Sequence, residues 1–387
     1  MYLQVLISAI SVFIIFNISS QNSKNMKILF PCNKQLYSKI MAYTIAMKAM
    51  NKNLEMVKTD DSMSPIVTAC REGNLRDVVV HVESGGDVEG KGWHGRTLLH
   101  EASFSGHLPV VEFLVKNGAN IDSKDDSDCT PLLTAAVTCE LPVIAFLVKH
   151  GAGIDATDDL GMNALHYAAT SGSVDVVKFL LDNGFALDEM DRAQMTALHL
   201  AAIDGHHTVV ELLVERGFNM EVEDNKGRTA LHCAVVYSHI DVVTSLVHYG
   251  ANVDALDHDH ATPLLSATDD LRVVTCLVND GGADITVLGV GGKNALHVAA
   301  FWGNPNVVAF LMHHRGDDEV DVANLDVVDC NGRTALHYAA MKPHVAVVTH
   351  LVDFGANVGV EDNTGRTAFS YAMDTDYPSL SLEMILG

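Results

Sequence analysis

Apolar positions recur along most of the chain with the spacing of short amphipathic helices. Val176, Val177, Leu180 and Leu181 show the pattern, in which an adjacent apolar pair is followed by a second pair one helical turn later. This spacing places an apolar stripe along one side of a helix. A shorter apolar segment precedes each such helix and starts at Ser, Thr or Asn, residues that commonly cap helix N-termini. The pattern predicts pairs of helices separated by short polar links.

The helix pairs repeat at a nearly constant distance along the sequence. Segments in register start at residues 64, 97, 130, 163, 196, 229, 262, 294, 334 and 367, with spacings of 33 residues except for one of 32 and one of 40. One helix pair of this length cannot bury its own apolar side, so neighbouring pairs must stack and share a continuous core. The sequence therefore predicts a solenoid of about ten repeats.

Small residues mark the helix ends and the expected packing contacts. In the repeat that starts at Thr196, Gly205 follows the first helix and Gly217 follows the second. Glycine readily adopts the left-handed conformation that ends many helices, so each helix is expected to stop there. The adjacent Ala201 and Ala202 lie on the first helix, where small side chains let neighbouring helices approach closely.

Residues 1–59 have a different composition from residues 60–387. Residues 2–18 form an apolar run, and the segment then carries seven Lys residues against the single acidic residue Glu55. Three interpretations are open: a secretory signal, although no basic residue precedes the apolar run; a membrane anchor, with the Lys-rich part on the cytoplasmic side; or a non-native upstream extension. We therefore predict a leader at 1–59 and a repeat domain at 60–387.

Charge and cysteine usage restrict the function of the repeat domain. The chain has a formal net charge of −24, and residues 60–387 alone carry −30. A body this acidic repels nucleic-acid phosphates and anionic lipids, so neutral or basic protein partners are expected. The seven cysteines are widely spaced and form no C-x-x-C motif, which favours free thiols in a reducing, cytoplasmic compartment.

The repeated motif resembles the ankyrin repeat over residues 64–387. Thr-Ala-Leu-His is followed by Ala-Ala, Gly, Val-Val, Leu-Leu and Gly-Ala-Asn, with a period of 33 residues. The resemblance implies an all-α solenoid of stacked helix-loop-helix units with β-hairpin fingers, whose fingers and first helices form a concave face. It also implies a protein-interaction scaffold or adaptor that has no cofactor and is not an enzyme. The alternative is a membrane-tethered ankyrin protein or channel fragment at the inner membrane surface.

Three departures from the motif lead to specific expectations. Leu133 and Leu265 replace the motif histidine, so a hydrogen-bond relay through this position should break there. The repeat from Asn294 carries seven extra residues, and the acidic residues at 317–321 should form a loop. The segments 64–85 and 367–386 lack the histidine and resemble capping repeats.

Histidine is abundant, but its spacing argues for structure rather than chemistry. Six histidines share one repeat position, and we expect each to make a structural hydrogen bond: His100, His166, His199, His232, His297 and His337. His258 and His260 alternate with aspartates in a predicted turn and are interpreted as solvated rather than metal-binding. The segment 289–294 resembles a phosphate-binding loop but lacks its Ser or Thr and lies in the repeat register. No catalytic, metal or cofactor site is predicted.

Partner-binding residues are expected where the ankyrin repeat varies, at finger tips and at the ends of first helices. Both tryptophans of the chain occupy such positions. Because aromatic residues dominate interface energies, we predict a binding ridge. Its aromatic members are Trp93, Phe104, Tyr237, Phe301 and Trp302, and its charged members are Arg96, Arg228, Lys293 and Arg333. The alternative is that these aromatics only cover the seams between repeats.

Overall fold

A computed structural model describes residues 64–267, 270–314 and 325–374 of the chain. The chain divides into two units, and all of these residues belong to the second, Ser64–Gly387. The predicted leader at 1–59 and the predicted acidic loop at 317–321 lie outside the described residues, as does the end of the predicted C-terminal cap. The described architecture is that of the repeat array.

Each repeat begins with a short first helix capped by Ser, Thr or Asn. Thr97 shows the physical reason, because its Oγ1 accepts a hydrogen bond from the backbone N–H of His100 at 3.4 Å. That N–H belongs to the first helical turn and has no partner within the helix. The first helices are Pro65–Glu72, Leu98–Phe104, Pro131–Val137, Ala164–Thr170, Ala197–Asp204, Ala230–Val236, Pro263–Ser266, Ala295–Trp302, Ala335–Met341 and Ala368–Met373.

The second helix of each repeat carries the apolar stripe. In Val174–Asp182, the side chains of Val176, Val177 and Leu180 are buried, as the periodicity predicts. The second helices are Leu75–Glu83, Leu108–Lys116, Leu141–Lys149, Val174–Asp182, His207–Glu215, Ile240–His248, Leu271–Thr275, Pro305–His313 and Val345–Asp353.

The core is continuous because each first helix packs against the first helices of the neighbouring repeats, and most first helices also pack against the second helix of their own repeat. Equivalent leucines fill this layer in successive repeats and are at most 1% exposed: Leu99, Leu132, Leu165, Leu198 and Leu231. Paired alanines such as Ala201 and Ala202 are fully buried between the helices. The predicted all-α, stacked helix-loop-helix fold is confirmed.

The links between repeats form tight finger-like turns. In the finger before Thr130, Asp125 Oδ1 accepts hydrogen bonds from the backbone N–H groups of Ser127 and Cys129, at 2.8 and 3.0 Å. Neighbouring fingers are joined through the backbone, as where the Asp159 N–H donates to the Ser127 carbonyl at 2.8 Å. Among the described residues the fingers contain isolated β-bridges, such as that between Lys91 and Thr97, rather than extended strands.

The repeat that starts at Thr262 is irregular. Its first helix, Pro263–Ser266, has only four residues. Its second helix, Leu271–Thr275, continues as a π-helical turn over Cys276–Asp280. This repeat coincides with the one 32-residue spacing in the sequence.

Candidate functional site

The motif histidines hold each finger in place. His100 Nδ1 accepts hydrogen bonds from the backbone N–H and the hydroxyl of Thr97, at 3.1 and 2.8 Å. His100 Nε2 lies 2.9 Å from the carbonyl oxygen of Cys129 in the next repeat. Since Nδ1 accepts from an N–H group, the ring proton lies on Nε2 and donates to that carbonyl. The neutral imidazole therefore links two consecutive repeats.

The other five motif histidines make the equivalent contact, with Nε2 to carbonyl distances from 2.9 to 3.2 Å. Their partners are Met195, Arg228, Ala261, Arg333 and Arg366. Burial lowers the pKa of each histidine, and that of His166 falls to about 4. Leu133 and Leu265 have no side chain that can donate, so the relay is interrupted at both positions.

Three of the predicted charged residues are paired with buried finger carboxylates. Arg96 Nε lies 3.3 Å from Asp125 Oδ2, and Arg228 Nη2 lies 2.6 Å from Asp224 Oδ2. Burial would raise the pKa of Asp224, but the hydrogen bond and charge of Arg228 lower it. Arg96 is only 6% exposed. Arg96 therefore stabilises a finger and offers almost no surface to a partner, although it was predicted to be a charged member of the binding ridge.

The predicted ridge residues of the N-terminal part surround one finger. Trp93 lies in the 3₁₀ turn Trp93–Gly95 and is 48% exposed. Phe104 is half-buried, and the Arg96 guanidinium carbon lies 5.6 Å from the centre of its ring. Trp93 is thus the member of this group that presents a large apolar surface to solvent.

Tyr237 lies apart from the other aromatic residues of the ridge. It is half-buried at the end of Ala230–Val236, and its ring stacks on His239 with 6.2 Å between the centres. Its hydroxyl is buried and has no hydrogen-bond partner among the described residues. Burial raises the pKa of Tyr237 to about 12.

The remaining ridge residues come together across the last repeats. Phe301 packs edge-on against Trp302 and Tyr338, with centre distances of 5.3 and 5.9 Å. Lys293 Nζ lies 5.0 Å from the ring centre of Tyr338, and Lys342 Nζ lies 4.9 Å from that of Phe301. We call these five residues the C-terminal aromatic cluster.

Arg333 and Arg366 extend this cluster into the last described repeat. The two guanidinium carbons lie 5.7 and 3.9 Å from the ring centre of Tyr371. Arg333 also donates to the Tyr371 hydroxyl at 3.3 Å and lies 3.4 Å from Asp362 Oδ2. Phe301, Trp302, Lys293 and Arg333 were predicted from the sequence, and the structure brings them into one region.

Sequence reasoning missed Tyr338 and Lys342 of the cluster, and also Tyr371 and Arg366, which extend it. The Tyr338 hydroxyl donates to Asp329 Oδ2 at 2.6 Å, and the Tyr371 hydroxyl donates to Asp362 Oδ2 at 2.7 Å. In both cases the Tyr follows the finger Asp by nine residues. The same spacing separates Asp158 and Tyr167, so it could have identified these Asp–Tyr pairs from the sequence.

A row of exposed apolar residues on the fingers was also missed. Four of them lie six residues before the cap residue of their repeat, and each is at least 45% exposed. They are Met190, Leu256, Leu288 and Val328. Their common register was visible in the sequence, but their exposure was not, because apolar residues of the same types fill the core.

The other motifs considered for chemistry lie in ordinary fingers. The Gly289 N–H donates to the Lys293 carbonyl at 2.8 Å, so segment 289–294 closes a turn. His258 and His260 are exposed. Within residues 64–267, 270–314 and 325–374, no three His, Cys, Asp or Glu side chains are grouped as metal ligands. In the same ranges, no helix combines the length and apolarity needed to cross a bilayer.

Comparison with protein families gives matches along most of the chain. The family model described as ankyrin repeats (3 copies) matches residues 16–125, 118–191, 183–257 and 318–384. The model described as ankyrin repeat matches residues 291–328.

Similar proteins share only a part of their length with this chain. Mouse diacylglycerol kinase iota is 35% identical over 123 residues, which cover 32% of this chain and 11% of the kinase. The rice BTB/POZ domain and ankyrin repeat-containing protein NPR2 is 35% identical over 103 residues, covering 27% of this chain and 14% of that protein. The chain thus spans about a tenth to a seventh of these relatives.

A solved structure supports the same architecture. The human ASB11 ankyrin repeat domain aligns with a TM-score of 0.54 and 25% sequence identity. The alignment covers 57% of this chain and 99% of that domain.

Proposed function

Because the chain belongs to the ankyrin repeat family, we propose that it is a scaffold or adaptor that binds a partner protein through its fingers and first helices. Ankyrin repeats are generally protein-interaction modules. Catalysis is not part of the proposal, since the diacylglycerol kinase match covers only 11% of that enzyme.

The observation that carries the proposal is the placement of aromatic side chains at the variable positions of the repeat. Trp93 exposes 48% of its surface at a finger, and Phe301 and Trp302 are half-buried at the end of a first helix. A solvent-exposed tryptophan is costly in water and contributes strongly to binding once a partner covers it. These positions support recognition of a protein surface.

We place this function in the cytoplasm on the basis of the cysteines. All six described cysteines are free, and Cys70, Cys129 and Cys233 are buried. Burial raises the pKa of each of these three thiols to about 12. Free thiols are typical of a reducing compartment.

The proposal is tested by replacing the exposed aromatics in the full chain. A partner is first identified by its retention on the immobilised chain, and its affinity is then measured by isothermal titration calorimetry. We expect Trp93→Ala and Trp302→Ala each to weaken binding by about tenfold, as for interface residues of intermediate importance.

Phe354→Ala is the matched control, because Phe354 is 44% exposed but caps a second helix. It should leave the affinity unchanged. Thermal melting of each variant separates binding from folding. If both tryptophan variants bind normally while Trp302→Ala melts at a lower temperature, these residues only cover seams and the proposal fails.

A further inference from the structure

The C-terminal aromatic cluster has a local charge opposite to that of the chain. Residues 60–387 carry −30, yet Lys293, Lys342, Arg333 and Arg366 all lie over aromatic rings of three consecutive repeats. Charges separated by more than about 10 Å in physiological salt are largely screened. A bound segment therefore responds to this local group, in which four cations face the three carboxylates Asp329, Asp362 and Asp374, more than to the net charge of the molecule.

The carboxylates of this region are already engaged within the protein. Asp329 and Asp362 are each 5% exposed. Oδ1 of each accepts backbone N–H groups, and Oδ2 of each accepts a Tyr hydroxyl. Asp374 pairs with Arg366. Lys293, in contrast, forms no ion pair within the described part of the chain, and its ammonium group lies over Tyr338.

We propose that this cluster binds an acidic protein segment that carries one aromatic or large apolar side chain. A carboxylate of the segment would pair with Lys293, the charges of Lys342, Arg333 and Arg366 would add to the positive potential around it, and the apolar side chain of the segment would pack on Phe301 and Trp302. The inference rests on the proposed function and specifies its partner. The whole-chain charge predicts neutral or basic partners, whereas the local charge at this surface selects an acidic one.

The dimensions of the cluster indicate the length of the segment. The first helices Ala295–Trp302, Ala335–Met341 and Ala368–Met373 pack side by side. Packed helices lie about 8 to 10 Å apart, so two such steps span roughly 20 Å. An extended chain advances about 3.3 Å per residue, so about six residues cross the cluster.

Single-stranded nucleic acid is the competing ligand, because cations and aromatic rings also bind stacked bases and phosphates. The acidic body argues against it, since an approaching polyanion is repelled over a larger area than this cluster. The two ligands are separated by including an oligonucleotide in the test.

The test measures binding of a fluorescein-labelled peptide of about six residues, with Glu and Asp around a central Phe, to the full chain by fluorescence anisotropy. We expect Lys293→Glu to weaken binding by about tenfold and Lys293→Arg to retain it. Lys178→Glu makes the same charge change on an exposed part of the second helix Val174–Asp182, and it should change the affinity by less than about twofold.

Three results would overturn the inference: absence of peptide binding, equal losses from Lys293→Glu and Lys178→Glu, or tighter binding of a labelled single-stranded oligonucleotide than of the peptide. If Lys293→Glu lowers the melting temperature, Lys293→Gln takes its place, with an expected loss of about threefold. Loss of partner binding by Trp302→Ala, together with an inert acidic peptide, would reject this partner chemistry and leave the proposed function standing.

Discussion

In the loops between paired helices, the residue that fits at one position depends on the side chain that the next repeat packs against it. Gly205 has φ +79°, and a Cβ atom there would lie 2.6 Å from Nδ1 of His239. The other ring nitrogen of His239, Nε2, lies 2.8 Å from the Ile203 carbonyl oxygen. Gly73 has the same relation to His107. At the equivalent loop position Cys139 replaces glycine, and the next repeat there has Ser173 instead of histidine. The glycine is therefore required where the histidine packs.

We predict that Gly205→Ala is more destabilising than Gly217→Ala. Both residues are left-handed, at φ +79° and +89°, so alanine at either costs about 1 to 2 kcal/mol of backbone strain. Only at Gly205 would the new methyl group also collide with His239, which adds about 1 to 3 kcal/mol. Urea denaturation measures the difference. Equal losses would show that the histidine moves aside without cost.

Other single residues show where sequence reasoning was incomplete. Arg96 and Arg228 both lie at variable positions, but Arg96 pairs with buried Asp125 of the next finger, whereas Arg228 pairs with Asp224 four residues earlier in its own finger. Only the first pairing depends on the distance between fingers. The spacing of nine residues from Asp329 to Tyr338 was visible in the sequence, but the contacts of Tyr338 with Phe301 and Lys293 were not. Side-chain partners across a repeat boundary are set by stacking.

Among the helices, those of the repeat from Thr262 depart most from the regular pattern. Its first helix is four residues long, compared with seven for Ala230–Val236 in the preceding repeat. His232 donates a hydrogen bond to the Ala261 carbonyl in the next repeat, and Leu265, at the equivalent position, cannot donate such a bond to the repeat that follows it. Fewer cross-repeat bonds and shorter helices lower the local free energy of opening.

We predict that residues 263–283 exchange their amide hydrogens faster than residues 230–251. Hydrogen exchange followed by mass spectrometry on the full chain provides the comparison, since both segments occupy equivalent positions in adjacent repeats. At least about tenfold faster exchange is expected, equivalent to a local difference above about 1.4 kcal/mol. Uniform protection across the two segments would contradict the role given to the missing histidine and the shortened helix.

Across the whole array, the buried histidines couple stability to pH. All six motif histidines have a folded-state pKa below the ordinary value of 6.5 because they are buried. As pH falls below 6.5, the unfolded chain takes up protons that the folded chain excludes, so the free energy of unfolding decreases. Burial raises the pKa of Asp204 to about 6 and also raises the pKa values of Glu101 and Asp191. These three carboxyl groups have the opposite effect but are fewer than the six histidines.

We predict that the melting temperature falls steadily between pH 7 and pH 4.5, with the loss concentrated below about pH 6.5. For His166, a shift from 6.5 to about 4 corresponds to roughly 3 kcal/mol at low pH. His199→Leu should lower the melting temperature at pH 7.5, because the Arg228 carbonyl loses one of its donors, and should flatten the pH dependence. An unchanged pH profile in this variant would show that the relay does not couple protonation to folding.

The 33-residue period, the cap residues and the apolar stripes were sufficient to predict helix pairs stacked around a shared core. They were sufficient because the repeats bury equivalent apolar positions against their neighbours and use similar residue types at those positions. The tertiary structure alone decided which side chains meet across repeats: that Arg96 is buried against Asp125, and that Lys293, Phe301 and Tyr338 form one cationic aromatic cluster. These contacts join residues separated by about one repeat or more, and their distances follow from how the repeats stack, which no local pattern encodes.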